Sequence, residues 1–181
     1  ITSKTKAIII CNPNNPTGSV FSSNELMDIL NIALGKNILV IADEIYEKLV
    51  YNNSEFISVS SFGEKYKNNI VIINGVSKTY AMTGWRIGYA IAPKYIVDGM
   101  NKFQSHSTSN ACTISQYAAL AAITHSQETV EDQRKIFEER CNFIKSALLE
   151  IEDISFVQPS GAFYYFIDIS KLIEKYSSIN N

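Results

Sequence analysis

Three short runs of apolar residues constrain the fold more than any other feature of this sequence. They comprise residues 7–11, 38–42 and 70–73, and each is rich in β-branched side chains. None alternates between apolar and polar residues, which is the pattern of strands buried on both faces of a parallel sheet. The runs therefore predict an α/β fold with a mostly parallel sheet flanked by helices.

A helix is predicted between the first two runs. Ser22 and Glu25 have the spacing of a capping box, and Gly35 provides a stop signal. The intervening apolar residues lie on one face of such a helix and comprise Leu26, Ile29, Leu30, Ala33 and Leu34. Strand, helix and strand then form a βαβ unit with a right-handed crossover.

Polar side chains follow each of the three predicted strands. Asn15 follows the first strand, Asp43 and Tyr46 follow the second, and Lys78 follows the third. In open α/β sheets, ligands bind beyond the carboxyl ends of the parallel strands. We therefore expect these four side chains to lie at one edge of the sheet.

Arg86 precedes a fourth apolar stretch, residues 87–92. Only 13 residues run from Asn74 to Arg86, which leaves little room for the helical crossover that a parallel neighbour requires. We therefore predict that the fourth strand is antiparallel. Its beginning, with Arg86, would then lie at the edge where the other strands end.

Helices are predicted at residues 93–104 and 113–124. A longer amphipathic helix of roughly 24 residues follows, long enough to connect two domains. A strand pair is expected around Phe156 and at residues 163–169, and a short helix begins at Lys171.

Composition excludes several classes of protein. Hydrophobic residues make up 46% and charged residues 19% of the chain, and the net charge is −2, which is typical of a globular protein without a nucleic-acid or anionic-membrane partner. No apolar run approaches the roughly 18 residues of a transmembrane helix. The three cysteines are widely spaced, which favours a reducing, cytoplasmic location over disulfides. His106 and His125 lack metal-ligand spacing, so we predict surface or capping roles and no metal site.

Lys78 and Arg86 bracket one polar loop. A lysine amine is a nucleophile toward aldehydes, whereas arginine binds phosphate through its planar fork. One ligand would engage both groups, namely an aldehyde that carries a phosphate.

Four motifs extend this interpretation. Lys78 belongs to a spaced pattern formed by Ser77, Lys78, Gly84, Arg86, Gly88 and Tyr89, and the other motifs are residues 12–18, 42–46 and 159–164. In this order they resemble the class I/II aminotransferases of fold type I, which depend on pyridoxal 5′-phosphate (PLP). The resemblance covers nearly the whole chain and is strongest to aspartate aminotransferases.

The resemblance implies roles for the chain's own residues. Lys78 would bind PLP as a Schiff base and move the substrate proton, and Asp43 would face the pyridine nitrogen. Tyr46 would be the third catalytic residue and, with Asn15, would hydrogen-bond the ring oxygen. Asn15 would also contact the substrate.

Phosphate binding is assigned to Arg86 and Ser77. Many family members carry serine or threonine three residues before the lysine, where this chain has Gly75. Without the motifs, a turn residue is the favoured interpretation of Asn15, and a helix N-cap is the favoured interpretation of Asp43.

The resemblance also implies a domain organisation. Residues 1–126 would be part of the PLP-binding large domain, residues 127–152 a linking helix, and residues 153–181 the start of a small domain with a frayed end. We expect the chain to be a fragment, since the only arginines are Arg86, Arg134 and Arg140 and the last two lie on a charge-rich helix. None is available for a substrate carboxylate.

The resemblance thus implies a homodimeric aminotransferase that transfers an amino group between an amino acid, aspartate or aromatic, and a 2-oxo acid. Two alternatives remain open at this stage. One is a PLP-dependent lyase on the same fold, and the other is a noncatalytic sensor domain of a transcription regulator. The isolated chain is expected to be inactive.

Overall fold

Four strands form the main sheet in the order in which they occur in the chain. The computed structural model describes residues 1–177, and the strands are β1 (Ala7–Cys11), β2 (Leu39–Asp43), β3 (Ile70–Gly75) and β4 (Gly88–Ile91). The first three are parallel, and β4 is antiparallel to β3. The predicted fold class and the predicted polarity of the fourth strand are both confirmed.

The strand register determines which strand ends lie side by side at one edge of the sheet. Cys11 pairs with Asp43, and Asp43 pairs with Ile73. At the end of β3, Gly75 pairs with Gly88, the first residue of β4. The carboxyl ends of β1, β2 and β3 and the beginning of β4 therefore lie at one edge.

Helix α1 (Ser23–Gly35) covers one face of the sheet. Its N-terminus carries the predicted capping box, in which the Ser22 side chain accepts from the Glu25 backbone and the Glu25 side chain accepts from the Ser22 backbone. Leu26, Leu30 and Ala33 are buried against β2 and its neighbours. Burial of each leucine stabilises the fold by roughly 1.5–3 kcal/mol.

The expectation that the strands are buried on both faces is met in β3, where the consecutive residues Val71 and Ile72 are 3% and 5% exposed, but not in β1. Ile9 is 75% exposed, on the face of β1 away from the α1 core, whereas Ile91 pairs with Ile72, shares its face and is 61% exposed because β4 lies at the edge of the sheet. Among residues 1–177, the central strands β2 and β3 are therefore covered more fully than β1 and β4, which lie at the edges of the sheet.

Four more helices and a small sheet complete the described chain: α2 (Lys94–Ser105), α3 (Thr113–Thr124), α4 (Glu128–Leu149), α5 (Ser170–Ser177), β5 (Ser155–Phe156) and β6 (Ile167–Asp168). Strands β5 and β6 pair antiparallel. His106 and His125 are the C-cap residues of α2 and α3. No helix among residues 1–177 has the length and apolarity needed to span a bilayer.

The predicted strand at residues 163–169 is wrong over most of its length. Only Ile167 and Asp168 join a sheet. Upstream, Gly161 forms a bridge with Val50, and Ala162 has a left-handed backbone with φ of 57°. This kink turns residues 163 and 164 away from strand geometry. The domain boundaries stay a prediction, and residues 178–181, including most of the predicted frayed end, lie outside the described residues.

Candidate active site

The loop after β1 is held against a segment far along the chain. Gly18 has φ of 70°, and a Cβ there would lie 2.5 Å from Cβ of Pro159. The backbone N–H groups of Ser160 and Gly161 both donate to the Gly18 carbonyl, at 2.8 and 2.9 Å. The close approach explains why glycine is needed at position 18.

The same segment is anchored on its other side by the chain that follows β2. The Ala162 N–H donates to the Leu49 carbonyl at 2.9 Å, and the Tyr51 hydroxyl donates to the Ala162 carbonyl. A Cβ on Gly161 would lie 2.8 Å from the Leu49 carbonyl oxygen. Residues 160–162 are therefore fixed between the loops that leave β1 and β2.

Aromatic rings surround the amine of Lys78. Its Nζ lies 5.5 Å from the ring centroid of Phe163 and 5.9 Å from that of Tyr46. The two rings meet edge to face at 5.4 Å, and Phe163 also stacks on Phe137 of α4 at 5.4 Å. Such rings attract a nearby cation and give the half-buried lysine an apolar wall.

Tyr46 presents a hydroxyl beside this amine. Its side chain is 3% exposed, and its hydroxyl lies 2.7 Å from that of Tyr164. Burial, followed by the contact with Tyr164 and the proximity of Cys11, raises the pKa of Tyr46, while the Asn15 side chain lowers it in part. Tyr46 consequently keeps its proton at neutral pH and can donate to a ligand.

Asp43 ends β2 at the same edge. It is half-buried, and its Oδ1 accepts from the Ile45 N–H at 3.1 Å. A turn follows, so Asp43 is not a helix N-cap. A carboxylate accepts about four hydrogen bonds, which leaves Asp43 with capacity to accept from a ligand N–H.

The proposed phosphate residues are less closely assembled. Arg86 lies just before β4 at the functional edge, in a left-handed conformation with φ of 57°. Its guanidinium is exposed and donates to the Thr83 carbonyl at 3.0 Å. Ser77 is half-buried beside Lys78 in the chain. The fold thus brings Asn15, Tyr46 and Lys78 together, whereas the Arg86 side chain turns back on its own loop.

Gly75 occupies a position with no room for a side chain. A Cβ there would lie 2.8 Å from the Ile87 carbonyl oxygen and 3.0 Å from Cα of Gly88. The pairing of β3 with β4 therefore requires this close backbone approach. This gives a physical reason for glycine, instead of serine or threonine, at position 75.

Phe163 and Tyr164 are site residues that sequence reasoning missed. The motif at residues 159–164 was recognised, but no role was assigned to its aromatic side chains. The available signal was the pair of aromatic residues directly after Gly161 and Ala162, and the strand prediction for residues 163–169 obscured it.

The site combines four kinds of chemical group. An amine nucleophile, hydroxyl and amide donors, a carboxylate acceptor and an arginine occur at one edge of the sheet. They match a ligand with an aldehyde, a ring oxygen, a ring N–H and a phosphate.

Comparisons with known proteins show which family of sequences this chain resembles. The family profile described as "Aminotransferase class I and II" matches residues 1–179. The aspartate aminotransferase of Bacillus sp. (strain YM-2) is 50% identical over 97% of this chain and 45% of its own length. The asparagine–oxo-acid transaminase of Streptococcus mutans is 44% identical over 96% of this chain and 44% of its own length.

A solved structure also matches. The aromatic aminotransferase from Pyrococcus horikoshii OT3 aligns with a TM-score of 0.91 and 35% identity, over 99% of this chain and 49% of that chain. The present chain therefore spans about half the length of the relatives it matches.

Proposed function

Since this chain belongs to the class I and II aminotransferase family, we propose that the whole protein is a PLP-dependent aminotransferase. It transfers an amino group between an amino acid and a 2-oxo acid. The observation that carries this proposal is the position of Lys78, with its amine between the rings of Tyr46 and Phe163 at the edge where three parallel strands end.

The residues present fit PLP. Lys78 offers the nucleophile for its aldehyde, Tyr46 and Asn15 offer donors for its ring oxygen, and Asp43 offers an acceptor for its ring N–H. When bound, PLP supplies an electron sink for the bond that breaks at the substrate α-carbon.

Lys78 has two roles in this proposal. Its amine would hold the aldehyde of PLP, and the same amine, once released by the substrate, would accept the proton from the substrate α-carbon. The rings of Phe163 and Tyr46 exclude water from one side of this amine. The carbonyl of Lys78 accepts from Gln133 of α4 at 3.1 Å, which restricts its backbone.

Asp43 and Tyr46 tune the electronic state of the ring. The Asp43 carboxylate holds a proton on the pyridine nitrogen, because an ionised acceptor stabilises the charged form of its donor. The hydroxyl of Tyr46 and the amide of Asn15 donate to the ring oxygen and favour its ionised form. Asn15 is exposed, which leaves it accessible for contact with substrate as well.

Arg86 and Ser77 are the proposed phosphate ligands. The register of β4 puts Arg86 at the correct edge, and rotation of its exposed side chain away from the Thr83 carbonyl would free the guanidinium. A charge-assisted bond to phosphate is stronger than the bond to a neutral carbonyl that it replaces.

The proposed substrates are aspartate or an aromatic amino acid, with a 2-oxo acid as acceptor, as the names of the matched relatives suggest. We place the protein in the cytoplasm, consistent with three cysteines that form no disulfide. We also propose a homodimer, since helices α2 and α3 carry exposed apolar side chains such as Phe103 and Tyr117 that a second copy would cover.

The test is a half-reaction with a panel of amino acids. Full-length protein loaded with PLP is mixed with each amino acid, and spectra record conversion to pyridoxamine phosphate. Stoichiometric conversion by aspartate or an aromatic amino acid is expected. Release of ammonia or loss of a substrate side chain, without pyridoxamine phosphate, would identify a lyase and contradict the proposal. A PLP-loaded protein that is inert to the whole panel would indicate a sensor domain.

A further inference from the structure

Tyr164 packs against the ring of Tyr46, and its hydroxyl lies 2.7 Å from the hydroxyl of Tyr46. We propose that Tyr164 is a positioning residue that directs the one hydroxyl proton of Tyr46 toward the ligand in the site. The inference rests on the aminotransferase function proposed above, in which Tyr46 donates to the ring oxygen of PLP.

The backbone before Tyr164 is anchored well enough for this role. Gly161 donates to the Gly18 carbonyl, and Ala162 donates to the Leu49 carbonyl, each at 2.9 Å. Tyr164 follows two residues later, and its ring meets that of Tyr46 edge to face at 5.8 Å with an interplanar angle of 83°. The two hydroxyls are therefore held in contact by both backbone and ring packing.

The number of protons on the two hydroxyls limits which of them can donate to the ligand. A tyrosine hydroxyl carries one proton and can also accept hydrogen bonds. If Tyr164 donates to Tyr46, the proton of Tyr46 is left to point at the ring oxygen. If Tyr46 instead donated to Tyr164, the single hydroxyl proton of Tyr46 would be used in that bond and could not be donated to the ligand.

An ionised ring oxygen selects the productive direction. Donation from Tyr164 to Tyr46 and from Tyr46 to the oxygen forms a chain in which each hydrogen bond polarises the next. Tyr46 becomes a stronger donor as a result. Removing the Tyr164 hydroxyl should weaken this donation without removing Tyr46 itself.

Other polar and titratable groups also face Tyr46. They are Cys11 from β1, Asn15 from the following loop and Lys78 from the loop after β3. All three are unchanged by Tyr164→Phe, so a shift in that variant reports the lost hydroxyl.

The chain offers a matched control in the adjacent residue. The hydroxyl of Tyr165 donates to the Cys141 carbonyl of α4 at 2.8 Å. Tyr165→Phe thus removes the same group from the same segment, but from the side that faces α4.

The experiment follows the visible absorbance of PLP bound to the full-length protein as a function of pH. Donors to the ring oxygen lower the pH at which the Lys78-bound chromophore loses its proton. Tyr164→Phe should raise this midpoint by about half a pH unit, and Tyr46→Phe should raise it further. The double variant should match Tyr46→Phe alone, and Tyr165→Phe should match the wild type.

Three results would each overturn this inference and leave the proposed function intact. They are an unchanged midpoint in Tyr164→Phe, additive shifts in the double variant, or an equal shift in Tyr165→Phe. A Tyr164→Phe protein that binds no PLP, while Tyr165→Phe does, would assign Tyr164 to packing and would also overturn it. If the wild type forms no chromophore with PLP, the proposed function itself fails, and that outcome is distinct from the others.

Discussion

The carboxylates of Asp43 and Glu44 are adjacent in the chain but lie in different environments. Asp43 is half-buried at the edge of the sheet and accepts from a backbone N–H two residues later. Glu44 is 3% exposed and accepts from the Val59 N–H at 2.9 Å. We therefore assign Asp43 to the chemistry and Glu44 to the fold, and each assignment has its own test.

Asp43→Asn should retain cofactor but slow proton abstraction on the order of 100-fold or more. Asparagine preserves an acceptor for the Ile45 N–H, so the local turn should survive, while the negative charge opposite the ring nitrogen is lost. Single-turnover spectra of the full-length variant measure the effect. Rates equal to those of the wild type would make Asp43 a structural residue only.

Glu44→Gln should alter the pH dependence of stability. Burial raises the pKa of Glu44 above its ordinary value of 4.5. A raised pKa in the folded state means that the contribution of Glu44 to stability is greatest below pH 4.5 and falls as pH rises through the folded value. Glutamine keeps the acceptor for Val59 but cannot ionise, so this fall should disappear and stability at pH 7 should increase. Thermal unfolding between pH 4.5 and pH 7 tests this, and an unaltered profile would contradict it.

At the scale of elements, the pairing of β3 with β4 determines where Arg86 lies. Gly75 allows the two backbones to approach closely, with Ile87 and Gly88 directly opposite. Helix α4 and its N-cap residue hold the loop that follows β3, because Gln133 donates to the Lys78 carbonyl and Gln127 accepts from the Tyr80 hydroxyl.

Gly75→Ala should destabilise the full-length protein by roughly 1–3 kcal/mol, because the new Cβ meets backbone atoms that cannot move independently. It should also weaken PLP binding by displacing the beginning of β4. Gly99→Ala is the control, since nothing lies within 4 Å of a Cβ at that position in α2, and alanine favours a helix. Unfolding midpoints and a PLP titration measure both effects. Equal midpoints for the two variants would refute the steric argument.

The elements were predictable from sequence where local pattern determines them. The capping box at Ser22, the three parallel strands and the antiparallel fourth strand follow from periodicity, stop signals and connection length. The positions of Phe163 and Tyr164 did not follow, because they depend on anchoring of Gly161 and Ala162 by chain more than 100 residues away. Such contacts leave no periodic trace in the sequence. Likewise, the motif suggested a role for Arg86, but its side-chain orientation depends on the local carbonyl of Thr83.

At the scale of the whole molecule, residues 1–177 contain the proposed reactive centre but no arginine that is left free to bind a substrate carboxylate. Arg134 is bound to Glu131 and Glu138 and also donates to the Val50 carbonyl. Arg140 lies 5.7 Å from the ring of Phe137. The ion pairs and the ring contact lie within α4, and the bond from Arg134 to Val50 attaches this helix to the rest of the fold.

The isolated polypeptide of residues 1–181 should therefore not complete a transamination cycle. Positioning of substrate and cofactor can contribute on the order of 7–11 kcal/mol to catalysis, and a carboxylate clamp supplies part of it. Purified residues 1–181 are assayed with aspartate and 2-oxoglutarate beside the full-length protein. Comparable turnover by the two would show that the chain needs no further substrate-binding residues.

The central claim is that Lys78 forms the covalent bond to PLP, and borohydride reduction followed by peptide mass spectrometry tests it directly. Reduction of PLP-loaded full-length protein should leave the phosphopyridoxyl mass on the peptide that contains Lys78. Lys78→Ala should abolish this adduct. The adjacent loop offers no second lysine, so loss of the adduct would be complete. A phosphopyridoxyl group found stoichiometrically on any other lysine, or retained in Lys78→Ala, would contradict the account.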